Sequence, residues 1–200
     1  MQSSTTPIVN STGNNSTQPT GGNRASYTNE DYGFRVSYPN SLKPETSFET
    51  YYHLSSSWRS GASPDSSGKA IITIPSFRIR QNDAYPRYFS AEVRIGASRD
   101  AKDVAACYND DENSAGIPST SETINGISFR KYILGSAGMM QYMTGESYRV
   151  VHNNTCYAIE QLQTGSTYRD ATTSKDISDD QLDSYYNSLA DIVKSFRFTK

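Results

Sequence analysis

The sequence predicts an α+β fold, a mostly antiparallel β-sheet of six or seven strands flanked by helices. Three observations predict it. Short segments that alternate apolar and polar residues recur along the chain, and they are rich in β-branched and aromatic side chains. Turn dipeptides separate them, Asn125-Gly126 above all, because both residues tolerate the positive φ of a type I′ turn. Near the end stands an amphipathic helix with a complete start signal at Ser178 and Gln181.

The elements follow in order. Residues 2–26 are nearly all Ser, Thr, Asn, Gln, Gly and Pro, with one aliphatic pair, Ile8-Val9, and one charge, Arg24. Such a stretch cannot bury enough apolar surface to offset its ordering entropy. Residues 1–26 are therefore expected to be a disordered polar tether and residues 27–200 a single domain. A membrane- or wall-anchored protein needs such a spacer, and any disordered terminus reads the same way. No charged n-region and apolar h-region precede it, so the expectation is a chain without a signal peptide, with any lipid anchor confined to a precursor.

The first strand places Phe34, Val36 and Tyr38 on one face and Arg35 and Ser37 on the other. Residues 51–58 read as an irregular strand and residues 60–68 as a loop. Residues 70–80 read as a strand that Pro75 confines to an edge or a bend. Its antiparallel neighbour is residues 88–95, with Ala91, Val93 and Ile95 inward and Glu92 and Arg94 outward. A short helix over 100–108 and an acidic loop over 109–116 come next. Asn125-Gly126 joins strands 121–124 and 127–134, and Asn153-Asn154 joins strands 142–152 and 155–163. In the last helix Ser178 and Gln181 form a capping box, Asp179 and Asp180 suit its first turn, and Ile177 with Leu182 can staple it. Leu182, Tyr185, Tyr186, Leu189, Ile192 and Val193 make one apolar stripe that must lie on the sheet, ahead of a short final strand at Phe196-Arg197-Phe198.

Composition excludes more than it assigns. Nineteen basic against twenty-one acidic residues leave a net charge of −2, which is no electrostatic footprint for nucleic acid. Apolar runs such as Ala70-Ile71-Ile72 are too short to span a bilayer. Fifteen tyrosines stand against one tryptophan, Trp58. Tyrosine suits a pleated surface, and a face rich in it suits sugar or protein binding, since a flat ring with a polar tip works half-buried.

Two cysteines, Cys107 and Cys156, have no Cys-x-x-Cys spacing and suit one structural disulfide in an oxidising compartment; two buried thiols are the other reading. Catalytic groups are sparse. His53 and His152 are the two histidines, and His152 lies four residues from Cys156, so a Cys/His pair is conceivable beside the plainer reading of a strand-end histidine near a disulfide. The spacings match no zinc pattern, and no metal or other cofactor is expected. Asp110-Asp111-Glu112 lacks the ladder of a calcium loop and reads as a solvated run. Gly135-Ser136-Ala137-Gly138 is not a nucleophile elbow, and Ser66-Ser67-Gly68-Lys69 stands without companion motifs.

The opening Tyr27-Thr28-Asn29-Glu30-Asp31-Tyr32-Gly33-Phe34-Arg35-Val36-Ser37-Tyr38-Pro39, the Ile124-Asn125-Gly126-Ile127-Ser128-Phe129 hairpin and the closing helix into Ser195-Phe196-Arg197-Phe198 resemble the PsbP-like family over about residues 27–200. That resemblance implies an α/β/α sandwich, an extracytoplasmic home and no enzymatic activity, and it brings no catalytic residue. The functional expectation is a non-catalytic extracytoplasmic binding or assembly module, tethered to a membrane or cell wall and working with an unidentified protein or envelope partner. The alternatives are a hydrolase or transferase with an unrecognised site, or a structural or sensory domain of a larger envelope assembly.

Overall fold

The computed structural model describes residues 15–20 (as backbone only), 23–79, 87–109, 116–166 and 177–200. The opening strands β1 (Asn15–Thr20), β2 (Arg24–Asn29) and β3 (Phe34–Pro39) form an antiparallel meander. Next come β4 (Lys69–Ile79), β5 (Phe89–Ser98), helix α1 (Ala101–Ala105), β6 (Thr120–Ile124), β7 (Ile127–Gly138), β8 (Gln141–His152) and β9 (Thr155–Ser166). Helices α2 (Asp179–Asn187) and α3 (Ala190–Lys194) lead into β10 (Arg197–Phe198).

The chain builds an α+β fold with two sheets. A six-stranded antiparallel sheet runs β4-β5-β9-β8-β7-β6, and a four-stranded sheet runs β1-β2-β3-β10. One face of the large sheet carries the main core: Ile72, Ile74, Val93, Ile95, Tyr157 and Ile159 meet Phe34, Val36 and Tyr38 of the small sheet, Ile192 and Val193 of α3 and its N-cap Leu189. Phe196 stacks on Phe34 at 5.3 Å between ring centroids, which closes the small sheet onto that core. The opposite face is buried as well, and α1 and the irregular chain over residues 48–68 lie on it. Along β9, Cys156, Ala158, Glu160 and Leu162 point to this second face, and every one of them is buried.

The disulfide expected from the sequence joins Cys107, past the end of α1, to Cys156 in β9, with Sγ–Sγ 2.03 Å. Trp58 and Ala158 pack around it. Both sequence-predicted hairpins stand, and Asn125, Gly126, Asn153 and Asn154 all take positive φ. Pro75 does sit on an edge strand, where the β4–β5 register shifts between Pro75 and Phe77. The capping box also forms, Ser178 and Gln181 each satisfying the other's backbone N–H.

Several expectations are corrected. Residues 51–58 form no strand; Tyr51 and Leu54 make one isolated bridge, because the second sheet face gives this segment side-chain anchors instead of a strand partner. Glu92 and Arg94, expected outward, are 1% and 2% exposed. Alternation marked the two faces of β5 correctly, but both faces are covered. The last helix divides after Asn187: the Ser188 hydroxyl donates to Tyr185 O at 2.7 Å, which competes with helical bonding, and the turn aims Leu189, Ile192 and Val193 into the core. The opening and closing strands form a second sheet rather than joining the first, so β-structure as well as helix covers the large sheet. β2 itself starts at Arg24 and pairs with β1 at Asn15–Thr20. Residues 1–14 and the acidic run Asp110-Asp111-Glu112 lie outside the described residues.

Candidate functional site

The second face of the large sheet bears charged side chains, and their donors and acceptors hold an otherwise irregular segment. Arg94 on β5 donates to Glu49 O at 2.7 Å and to Ser55 O at 2.8 Å. One guanidinium thus grips both ends of the tight turn over residues 50–54. Glu92 receives the Arg94 Nε–H at 2.5 Å and a donor from Arg78 at 2.7 Å, and Arg78 also meets Glu45 at 3.0 Å and Glu49 at 3.2 Å. Burial alone would lower the Arg78 pKa, but the carboxylates of Glu92 and Glu45 outweigh it and raise it. Glu160 stands opposite Arg94 in the β5–β9 register. Its carboxylate accepts the Ser60 N–H at 3.0 Å on each oxygen and the Ser60 hydroxyl at 2.9 Å.

These two anchored pieces, the turn at 50–54 and the Ser60-Gly61-Ala62 corner, are the walls of a cleft of about 420 Å³. Tyr51 and Leu54 exchange backbone hydrogen bonds at 2.8 and 3.0 Å, and Leu54 plugs into Tyr132, Leu134, Met143 and Leu162. That plug leaves Tyr52 at the tip, 61% exposed, with its ring edge-to-face on His53 at 4.5 Å. His53 reaches across to β7. Its Nε2 lies 3.0 Å from Gly138 O and its Nδ1 3.0 Å from Ser136 Oγ. A carbonyl only accepts, so Nε2 carries the proton; in the neutral ring Nδ1 then accepts from the Ser136 hydroxyl. Beneath the turn, Tyr51 stacks on Tyr88 at 4.6 Å and donates to Glu49 at 2.6 Å. Burial, and then that carboxylate, push its phenol well above the ordinary tyrosine range, so it stays a neutral donor. The cleft is lined by Thr50, Tyr51, Tyr52, His53, Leu54, Ser55, Ser60, Gly61, Ala62 and Ser136, with no Asp, Glu, Lys or Arg among them.

The other residues singled out in the sequence fall elsewhere. His152 ends β8 opposite Thr155, donates through Nε2 to Lys200 O at 3.1 Å and stacks on Phe198 at 3.9 Å. Cys156 is fully buried in the disulfide, so the Cys/His pair does not form and the strand-end reading holds. Ser66 accepts from Trp58 Nε1 and donates to Asp103 at 2.8 Å, a role in packing the loop onto α1. Ser136 lies within a strand rather than at an elbow. Its pairing with His53 escaped the sequence because 83 residues separate them and neither sits in a motif. A second open cleft of about 430 Å³ brings Arg24, Lys194 and Arg197 to the small sheet with one carboxylate, Asp191. A third, of about 130 Å³, gathers His152, Asp31, Arg99 and Lys200. Among the described residues no cluster of three His, Cys, Asp or Glu side chains forms a metal site, and no helix is long and apolar enough to cross a membrane.

Compared with protein-family models and with curated proteins, the chain matches none.

Proposed function

We propose that this protein is a non-catalytic extracytoplasmic binding module, held near a membrane or wall by its polar N-terminal segment and binding through the His53 cleft. The observation that carries the reading is the joining of an oxidised, fully buried Cys107–Cys156 pair to a neutral, aromatic-tipped cleft on the same sheet face. Structural disulfides belong to oxidising compartments. An exposed tyrosine over a histidine held at both nitrogens is a preformed contact surface, which limits the ordering cost of binding. The PsbP-like resemblance of residues 27–200 supports the same compartment and the same non-catalytic role.

The test is chemical cross-linking in the native organism's envelope fraction, comparing the natural chain with Tyr52→Ala. Cross-linked products lost in the variant, with the protein found in that fraction, are expected. A soluble reduced protein whose cross-links ignore Tyr52 would overturn the reading. One observation favours a second reading, an acyl-transferring hydrolase: the Ser136 hydroxyl donates to a histidine nitrogen, as a nucleophile does to its base. Labelling of Ser136 by a serine-reactive fluorophosphonate, abolished by His53→Ala, would favour that reading over the first.

A further inference from the structure

We infer that the His53 cleft is a binding site for a neutral saccharide. The inference rests on the binding-module reading and names the chemistry of its ligand.

Charge comes first. One residue in five of this chain is Asp, Glu, Lys or Arg, yet none of the ten that line the cleft is. The sheet face directly beneath is dense in charge, but its charges are turned inward: Arg94 is engaged with backbone carbonyls and Glu92, and Glu160 with Ser60. A phosphorylated or carboxylated ligand would find no arginine or lysine at this surface. Such ligands are recognised by charge-assisted bonds to arginine or lysine. A neutral ligand meets no such penalty.

Shape and apolar content come second. The apolar side chain of the turn, Leu54, is 2% exposed and already fills its hole, so no greasy pocket remains for a lipid or a hydrophobic side chain. What faces water is the ring of Tyr52, which stands perpendicular to the His53 ring at 4.5 Å. An exposed aromatic ring beside a fixed neighbour suits the flat C–H face of a pyranose, which needs apolar contact without deep burial. The volume, about 420 Å³, lies within the roughly 300–1,000 Å³ range of small-molecule sites.

Hydrogen bonding comes third. With His53 Nε2–H donating to Gly138 O, the Ser136 hydroxyl donates to Nδ1 of the neutral ring and its oxygen still offers lone pairs as an acceptor. Thr50 and Ser55 bring further hydroxyls to the lining. An acceptor at Ser136 beside the free-rotating hydroxyls of Thr50 and Ser55 matches a ligand whose own groups are hydroxyls. A peptide that binds by adding a strand, by contrast, needs a free sheet edge. The walls here are a turn and a corner, not a strand edge.

The test is an amide-resolved NMR titration of the full chain with maltohexaose, cellohexaose and chitohexaose, each to about 10 mM, a level that reveals even a millimolar Kd. A peptide of Gly, Ser, Asn and Gln serves as control. Saturable shifts at Tyr52, His53, Gly61 and Ser136 with at least one sugar are expected. Tyr52→Ala should weaken that binding about tenfold, while Tyr52→Phe, which keeps the ring, stays within about threefold. Tyr52 is exposed, so unchanged spectra elsewhere will show that both variants fold. Shifts confined to other surfaces, or none with any sugar, overturn the saccharide assignment. If the peptide shifts the cleft amides and the sugars do not, the assignment falls and the binding-module reading survives. If nothing shifts them, the cleft reading falls too.

Discussion

Replacing both cysteines, Cys107→Ala with Cys156→Ala, should cost about 4 kcal/mol of folding free energy. The bridge closes a loop with a sequence separation of 49 residues. In the chain-entropy account, a loop of that length removes about 14 cal/mol/K from the unfolded ensemble, or about 4 kcal/mol near 25 °C. Both cysteines are fully buried against Trp58 and Ala158, so losing two sulfur atoms adds a smaller cavity cost of about 1 kcal/mol. For a chain of this size each kcal/mol moves the melting midpoint by about 2–4 °C, which gives a fall of roughly 8–20 °C. Urea melts of the oxidised protein and the double variant measure the difference directly. Reduction of the natural chain is a second route that leaves the sulfur atoms in place. A loss below about 1.5 kcal/mol by both routes would refute the reasoning, because the unfolded chain would then not be gaining the freedom that the loop length implies.

Three further outcomes follow from the same packing. At Gly96 an added Cβ would stand 1.9 Å from the Trp58 carbonyl oxygen, so Gly96→Ala must displace backbone. It should cost about 3 kcal/mol and alter Trp58 fluorescence; a urea melt within about 0.5 kcal/mol of the natural chain would contradict this. Glu160→Ala leaves the Ser60 N–H and hydroxyl without their acceptor in a buried setting. A loss of about 2–4 kcal/mol is expected, together with faster amide exchange at Ser60, and protection equal to the natural chain would count against it. Burial raises the phenols of Tyr51, Tyr88, Tyr148 and Tyr186 above the ordinary value of 10.0. Protons are held more tightly in the fold than in the unfolded chain, so the stability they contribute is complete below pH 10 and is lost as pH rises through the folded values. Phenolate absorbance should therefore rise in two stages, the second coinciding with unfolding by circular dichroism. A single stage near pH 10 for every tyrosine would sink that account.

Much of the fold was legible because local chemistry and the final structure agree. Asn125-Gly126 and Asn153-Asn154 mark turns by their own backbone tolerance, and Ser178 with Gln181 marks a helix start by two reciprocal hydrogen bonds. The Met139-Met140 turn was invisible: both residues take positive φ there, and methionine carries no preference for it. Glu92 and Arg94 were misplaced for a different reason. Alternation distinguishes the faces of a strand but does not say what covers them, and a charged face reads as solvated unless its partners are known. Those partners, Glu49 O and Ser55 O, lie 45 and 39 residues away and are backbone atoms, which leave no trace in a side-chain pattern. The site was hidden by the same fact. Tyr52, His53 and Ser136 belong to no motif, and only the crossing of residues 48–68 over the sheet brings them together.

Burying Arg94 and Glu160 is costly, since taking charges out of water is offset only when their hydrogen-bonding groups find partners. Here the partners are the two walls of the cleft. Arg94 closes on the turn that carries Tyr52 and His53, and Glu160 closes on the Ser60 corner facing it. The two residues are register partners on neighbouring strands, so the spacing of the walls is inherited from the spacing of β5 and β9 rather than from the loop's own preferences. A one-residue slip of that register would turn one clamp to the opposite face and release one wall. An apolar pair at these positions could pack as well, yet it would leave Glu49 O, Ser55 O and the Ser60 N–H without their partners. Charge at this place is therefore better explained by the positioning of an irregular segment than by overall stability. The segment so positioned is the one that bears the uncharged cleft.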